Sequence, residues 1–159
     1  MARPVTWYSD DLGDRDPVAA MQDTCDRIRA VMGGWPPARF ERSYAPGKWT
    51  GRQILAHLAQ TEIALGYRIR MTLASPDYAA QNFNQNDWLA RESALDASDA
   101  LDALLALNRM NRALCASLSD ADRALRLTHP EYGALTVDWI IHQLAGHQIH
   151  HLRQLEQLV

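Results

Sequence analysis

Val18, Met21, Cys25, Ile28 and Met32 follow one another at intervals of three and four residues, the spacing that places side chains on one face of an α-helix. The same period returns at Ile54, Leu58, Thr61, Leu65 and Ile69, and again at Leu101, Leu104, Leu107, Leu114 and Leu118. A last stripe runs through Ile140, Leu144, Leu155 and Leu158. No segment reads convincingly as a strand. Four amphipathic stripes with no sheet to cover them must bury one another, so the expected fold is all-α, a four-helix bundle. With 159 residues the chain can bury a real core without disulfides, and one domain is expected over residues 1–159.

Local signals set the helix ends. Asp16 can cap a first helix, Pro17 fits its first position and Gly33 stops it. Thr50 and Gln53 have capping-box spacing ahead of the second helix, which Pro76 ends. Ser98 is the expected cap of the third, and the fourth begins at Thr136. Between the third and fourth lies "SDADRALRLTHPEYGAL", with room for a helical turn. Between the second and third lies "SPDYAAQNFNQNDWLARESALDA", long for a tight antiparallel hairpin. A connection of that length can cross the end of the bundle and let helix three run parallel to helix two. The expected topology is therefore up-down-down-up.

Charge and hydropathy remove several functions. The 16 basic and 19 acidic residues leave a net charge of −3 with no basic block, which argues against nucleic-acid binding. No apolar run approaches the roughly 18 residues that span a membrane. The start, "MARPVTWYSDDLGDRD", has no apolar core like that of a signal peptide, so a cytoplasmic protein is expected. Cys25 and Cys115 are in no metal-binding spacing and sit on apolar stripes, which suits small buried hydrophobes.

Against this ordinary background "LAGHQIHHLRQL" stands out, with His147, His150 and His151 where a helix should bury leucine. With Leu144 at the centre of the buried face, His151 falls about 20° away and His147 about 60°. His150 lies about 120° off and His142 on the far side. His147 and His151 thus point inward one turn apart, as two imidazoles converging on one ion would. On the second helix His57 also falls about 60° from its stripe centre. In antiparallel helices the depths of His57 and the His147/His151 pair nearly coincide. His57, His147 and His151 are the candidate ligands of a divalent metal.

Two other histidine motifs fit poorly. The HxxHH of membrane di-iron desaturases needs transmembrane helices, and the zincin HExxH has Gln148 where its general base should stand. A neutral amide cannot take up the proton.

The block "GKWTGRQILAHLAQTE" resembles the W-(S/T)-x-x-(E/Q)-(I/L)-L-x-H-L-x-x-x-E block of the DinB/YfiT-like superfamily. "HPEYGALTVDWIIHQLAGHQIHHLRQL" resembles its G-x-x-T-(V/L) … H-x-x-x-H-x-x-H-H-x-x-Q block. The resemblance covers nearly the whole chain. It implies an up-down-down-up bundle with one divalent metal, zinc or nickel, on His57, His147 and His151, while His150 matches a histidine that is commonly not a ligand. The family's frequent HRGQ ending is HLRQ here, so Gln154 is kept and the glycine is not.

The resemblance implies one of two chemistries on a small-molecule substrate: transfer of a low-molecular-weight thiol, or hydrolysis by a metal-bound water. The alternative is a non-catalytic metal-binding bundle, a homodimer acting through partner contacts. Glu62 lies about 140° round its helix from His57 and should not face the same ion. Tyr78, Phe83, Asn84, Asn86, Asp87 and Trp88, in the long connection, are the expected walls of a pocket or a plug of the bundle end. Trp35, Trp49 and Trp139 are expected to pack helix ends.

Overall fold

The computed structural model of the protein describes residues 3–158. Four long helices carry the fold: α2 (Pro17–Met32), α4 (Gly51–Ala74), α6 (Ala97–Ser117) and α8 (Val137–Glu156). Short helix α1 (Ser9–Leu12) precedes α2, and α3 (Pro37–Phe40), α5 (Gln85–Arg91) and α7 (Asp120–Ala124) sit in the connections. Strands β1 (Arg126–His129) and β2 (Gly133–Thr136) form a hairpin ahead of α8.

Caps explain most of the long helices' starts. The Asp16 carboxylate accepts from Ala19 N at 2.8 Å with Pro17 in the first turn. Thr50 and Gln53 form a reciprocal capping box, and Thr136 accepts from Trp139 N. The third start differs from the expectation. Asp96, not Ser98, caps α6, accepting from Ser98 N at 2.8 Å and Asp99 N at 2.9 Å. A carboxylate two residues earlier takes both free N–H groups, and Ser98 becomes a first-turn residue.

The topology is up-down-down-up. Glu62 meets Asn108, and Gly66 meets Asn111, so α4 and α6 run parallel. Gly51 at the start of α4 lies against Leu158 beyond the end of α8, so these two are antiparallel. The helices contact one another in the cyclic order α2–α6–α4–α8. The core falls into two apolar clusters. One gathers Met21, Ile69, Cys115, Ile140 and Leu144; the other gathers Ile28, Met32, Ile54, Leu58, Leu104 and Leu155. Polar residues of α4, α6 and α8 lie between them.

That polar layer shifts the buried face of α6 away from the leucine stripe. Leu104 is fully buried, but Leu101, Leu107, Leu114 and Leu118 are half-buried, and Asn108 and Asn111 are buried in their place. Both asparagines are needed inside because they hydrogen-bond Glu62.

The absence of strands was the other expectation to fail. Leu127 and His129 point inward along β1 and pair across to Leu135 and Gly133, with Gly133 at φ 69° closing the turn. Four residues of alternation are too few to read as a period, and pairing rather than propensity makes this strand. The hairpin also holds the long α4–α5 connection, through Ala80 N to Thr128 O at 2.8 Å and Thr128 N to Tyr78 O at 3.0 Å. On the other flank α1 lies across α8. A Cβ on Gly146 would stand 2.5 Å from Tyr8 O, so only glycine permits that approach. Among the described residues, no helix is long and apolar enough to cross a membrane.

Candidate metal centre

His57 comes from the second turn of α4, and His147 and His151 from one face of the second half of α8. The antiparallel crossing brings all three to one level. His57 Nε2 is 2.9 Å from His147 Nε2, and His151 Nε2 is 3.1 Å from the same atom. All three side chains are buried. His150 is turned aside towards Asp11 and Gln154. His142 is on the far side of α8 and yet buried, its Nδ1 donating to Asp138 O at 2.9 Å.

The electrostatics keep the cluster neutral. Burial, and then the neighbouring imidazole of His151, pushes His57 down to about 3. Burial also pushes His151 down to about 4, against the pull of Gln154, and His147 lies well below the usual histidine range. The Gln154 amide donates to His150 Nε2, which turns its Oε1 towards His151 Nδ1 at 2.7 Å. That oxygen requires a proton on Nδ1, leaving His151 Nε2 as a bare lone pair.

Three neutral rings cannot satisfy this arrangement by themselves. If His147 Nε2 donates to one neighbour, it meets the other with no complementary hydrogen; if it accepts, its lone pair faces that of His151. A cation accepts all three lone pairs together. The donor set fits a borderline divalent ion, for which nitrogen ligands at about 2.0–2.1 Å are usual. The Nδ1 atoms of His57 and His147 have no partner among the described residues, so Gln154 is the one side-chain amide that orients a ring of the trio.

Aromatic rings enclose the cluster. Trp49 packs on His57 at 4.7 Å and on His151 at 6.0 Å between ring centres, and Tyr8 meets His147 edge-on at 5.2 Å. Trp49 therefore walls the site as well as preceding a helix. Trp139 lines the cavity, and of these tryptophans Trp35, against Phe40, is the one that remains helix-end packing.

A cavity of about 390 Å³ opens beside His57 and His147. Of the residues expected from the long connection, Phe83 and Asn84 line it; Tyr78, Asn86, Asp87 and Trp88 do not. Asn84 caps α5 and Trp88 packs behind Phe83 at 4.7 Å, so much of that segment is support. Helix α4 supplies Thr61, Leu65 and Arg68, and further wall comes from Trp7 and Tyr8 and from the hairpin residues His129, Glu131 and Tyr132. Nothing in their local sequence marks them, because α1 and the hairpin reach the site only through tertiary docking.

Two further groups stay out of the site. Glu62 is buried on the α6 side of α4, accepting from Asn108 Nδ2 at 2.8 Å, from Asn111 Nδ2 at 2.6 Å and from Gln148. Gln148 is thus turned into the core, away from the histidines, as a zincin base could not be. Burial pushes the Cys25 thiol up to about 12 and the Cys115 thiol up to about 11, so neither is a nucleophile.

The sequence profile of the DinB superfamily matches residues 20–155. A protein of Oceanobacillus iheyensis named "putative metal-dependent hydrolase" is 26% identical over 121 residues, which cover 76% of this chain and 70% of that protein. The solved structure of Bacillus subtilis YfiT, described as "a probable metal-dependent hydrolase with an unusual four-helix bundle topology", superposes with a TM-score of 0.83 at 19% identity, over 99% of this chain and 90% of that one. A mycothiol-dependent maleylpyruvate isomerase superposes with a TM-score of 0.73 at 15% identity, over 95% of this chain and 63% of that one. At these identities the two structures establish the fold.

Proposed function

This chain belongs to the DinB superfamily, and we propose that it is a metal-dependent enzyme whose His57, His147 and His151 hold one divalent ion, zinc or nickel. The observation that carries the reading is the convergence of three buried, uncharged Nε2 donors beside a 390 Å³ cavity. Three nitrogen ligands leave coordination positions for a water or substrate, which is the pattern of catalytic rather than structural sites. Bound there, such an ion lowers the pKa of a water or thiol and so supplies a nucleophile at neutral pH.

The protein's own groups support that chemistry. Gln154 holds His151 in the tautomer whose Nε2 is a free donor. Thr61 Oγ1 donates to His57 O at 2.8 Å and keeps its hydroxyl occupied within α4. Trp49, Phe83 and Tyr8 exclude bulk water from the rings, which strengthens every interaction inside.

The nucleophile we favour is an exogenous low-molecular-weight thiol, since a mycothiol-dependent enzyme is among the structural neighbours and this chain's own thiols are inert. Hydrolysis by water is the second reading, supported by the names of the other relatives. Metal analysis of protein purified without a histidine tag should find about one zinc or nickel per chain. The loaded protein should then accelerate conjugation of a thiol from a small panel to monochlorobimane. Failure to bind either metal on reconstitution would sink the enzyme reading; metal binding with ester hydrolysis but no conjugation would select water.

A further inference from the structure

Arg68 occupies an uncommon position for an arginine. Arg3, Arg27, Arg52, Arg123 and Arg153 pair with carboxylates near the surface, and the half-buried Arg70 and Arg112 donate to side-chain amides outside the cavity. Arg68 is half-buried in the cavity wall, and among the described residues it forms no ion pair; its Nη2 donates to Gln81 O at 2.6 Å. Burial pulls its guanidinium below the usual arginine range, the mark of a cation that has lost water without gaining an anion. It stands eleven residues after His57 on the same face of α4, about three turns away, with Thr61 and Leu65 between them on the cavity floor.

The hairpin adds a second donor beside it. His129 Nδ1 accepts from Glu131 N at 3.2 Å, so the proton of this buried ring sits on Nε2. Tyr132 stacks on the ring at 4.3 Å, and the neighbouring Glu131 is exposed. The walls between the two ends are aromatic: Trp7 meets Tyr132 edge-on at 4.4 Å and Trp139 at 6.3 Å, with Phe83 opposite beside His57.

We propose that Arg68 and His129 form an anion subsite, and that the small molecule taken by the cavity is an arylalkyl carboxylate held with its carboxylate at Arg68 and its reacting end at the histidines. One guanidinium and one neutral imidazole supply a single full charge, and Glu131 stands nearby, so a monoanion fits where a phosphate dianion would be repelled. The planar fork of Arg68 matches a carboxylate in two parallel hydrogen bonds. The reacting end rests on the metal-dependent reading above; the anchoring end rests on residues independent of it.

The test compares 4-phenylbutyrate with its uncharged amide, 4-phenylbutyramide, by calorimetric titration and quenching of tryptophan fluorescence. It uses zinc-loaded and metal-free wild type, Arg68→Met and Arg68→Lys, with metal content and circular dichroism measured for each. The carboxylate should bind wild type at least about tenfold more tightly than the amide, as a charge-assisted hydrogen bond gives. Metal removal should leave that preference in place. Arg68→Met should abolish it without altering affinity for the amide or metal content, and Arg68→Lys should retain part of it. Equal binding of carboxylate and amide, or a preference that survives Arg68→Met, would overturn the proposal. So would a preference that disappears with the metal, because the carboxylate would then sit on the ion. A wild type that binds no metal but keeps the Arg68-dependent preference supports the subsite and overturns the metal-dependent reading alone.

Discussion

His57 and Glu62 stand five residues apart on α4, and His147 and Gln148 are neighbours on α8, yet the two sets end in opposite chemical conditions. On the α6 side, Glu62 receives hydrogen bonds from Asn108, Asn111 and Gln148, and Asn108 Oδ1 in turn receives Arg112 Nε at 2.9 Å. On the cavity side, three imidazoles press Nε2 atoms together, and two of their Nδ1 atoms lack partners among the described residues. Both clusters are buried and polar. The saturated one behaves as part of the scaffold, since every group that lost water has found a partner. The unsaturated one keeps its donors for something else. Hydrogen-bond accounting separates site from support here better than burial or residue type.

The largest effects should come from breaking the unsaturated cluster. His57→Ala, His147→Ala and His151→Ala should each lower metal affinity by about a hundredfold or more, leaving little metal after dialysis, because each removes one of the three proposed ligands. His150→Ala should stay within about threefold of wild type. All four should keep full helical circular dichroism, as the two apolar clusters do not depend on an ion, and so should the chelated wild type. A His150 that proved essential while His147 proved dispensable would invert the assignment.

Breaking the saturated cluster should do the reverse. Glu62→Ala strands the amides of Asn108, Asn111 and Gln148 without their acceptor, and should cost about 3–4 kcal/mol in urea denaturation. The folded fraction should still bind metal with unchanged stoichiometry. A loss of stability below about 1 kcal/mol would show that the network contributes little to the fold.

The smallest effect is a pH dependence that differs in sign between the clusters. His57, His147 and His151 have folded-state values below the unfolded value of about 6.5. The unfolded chain therefore takes up protons first as the pH falls, and stability present above that value is lost on acidification. Metal-free protein should lose about 0.7 kcal/mol per imidazole between about pH 7 and pH 6, or about 2 kcal/mol for the trio, in paired urea melts. Burial raises Glu62 above its ordinary 4.5, so its own contribution is present below that value and is lost as the pH rises. An apo-protein no less stable at pH 6 than at pH 7 would argue that the imidazoles are not neutral and buried as described.

Much of this protein is written locally. The stripes through Met21, Ile54 and Ile140, the caps at Asp16, Thr50 and Thr136, and the inward phase of His57, His147 and His151 follow from helical geometry over a few turns. The up-down-down-up order was legible because one connection is too long for a hairpin, and the Glu62 side chain was legible as facing away from His57. What the sequence by itself could not determine depends on partners far along the chain. Asn108 and Asn111 are in the core because Glu62 arrives from α4, and Gly66 leaves room for Asn111 to do so. The strands Arg126–His129 and Gly133–Thr136 exist through their pairing, and Trp7, Tyr8, His129 and Tyr132 reach the cavity only after α1 and the hairpin have docked on the bundle. Periodicity reports which way a side chain leaves its own helix. Only tertiary structure decides what it meets there, because burial makes a polar atom's partner, or its lack of one, a property of two elements at once.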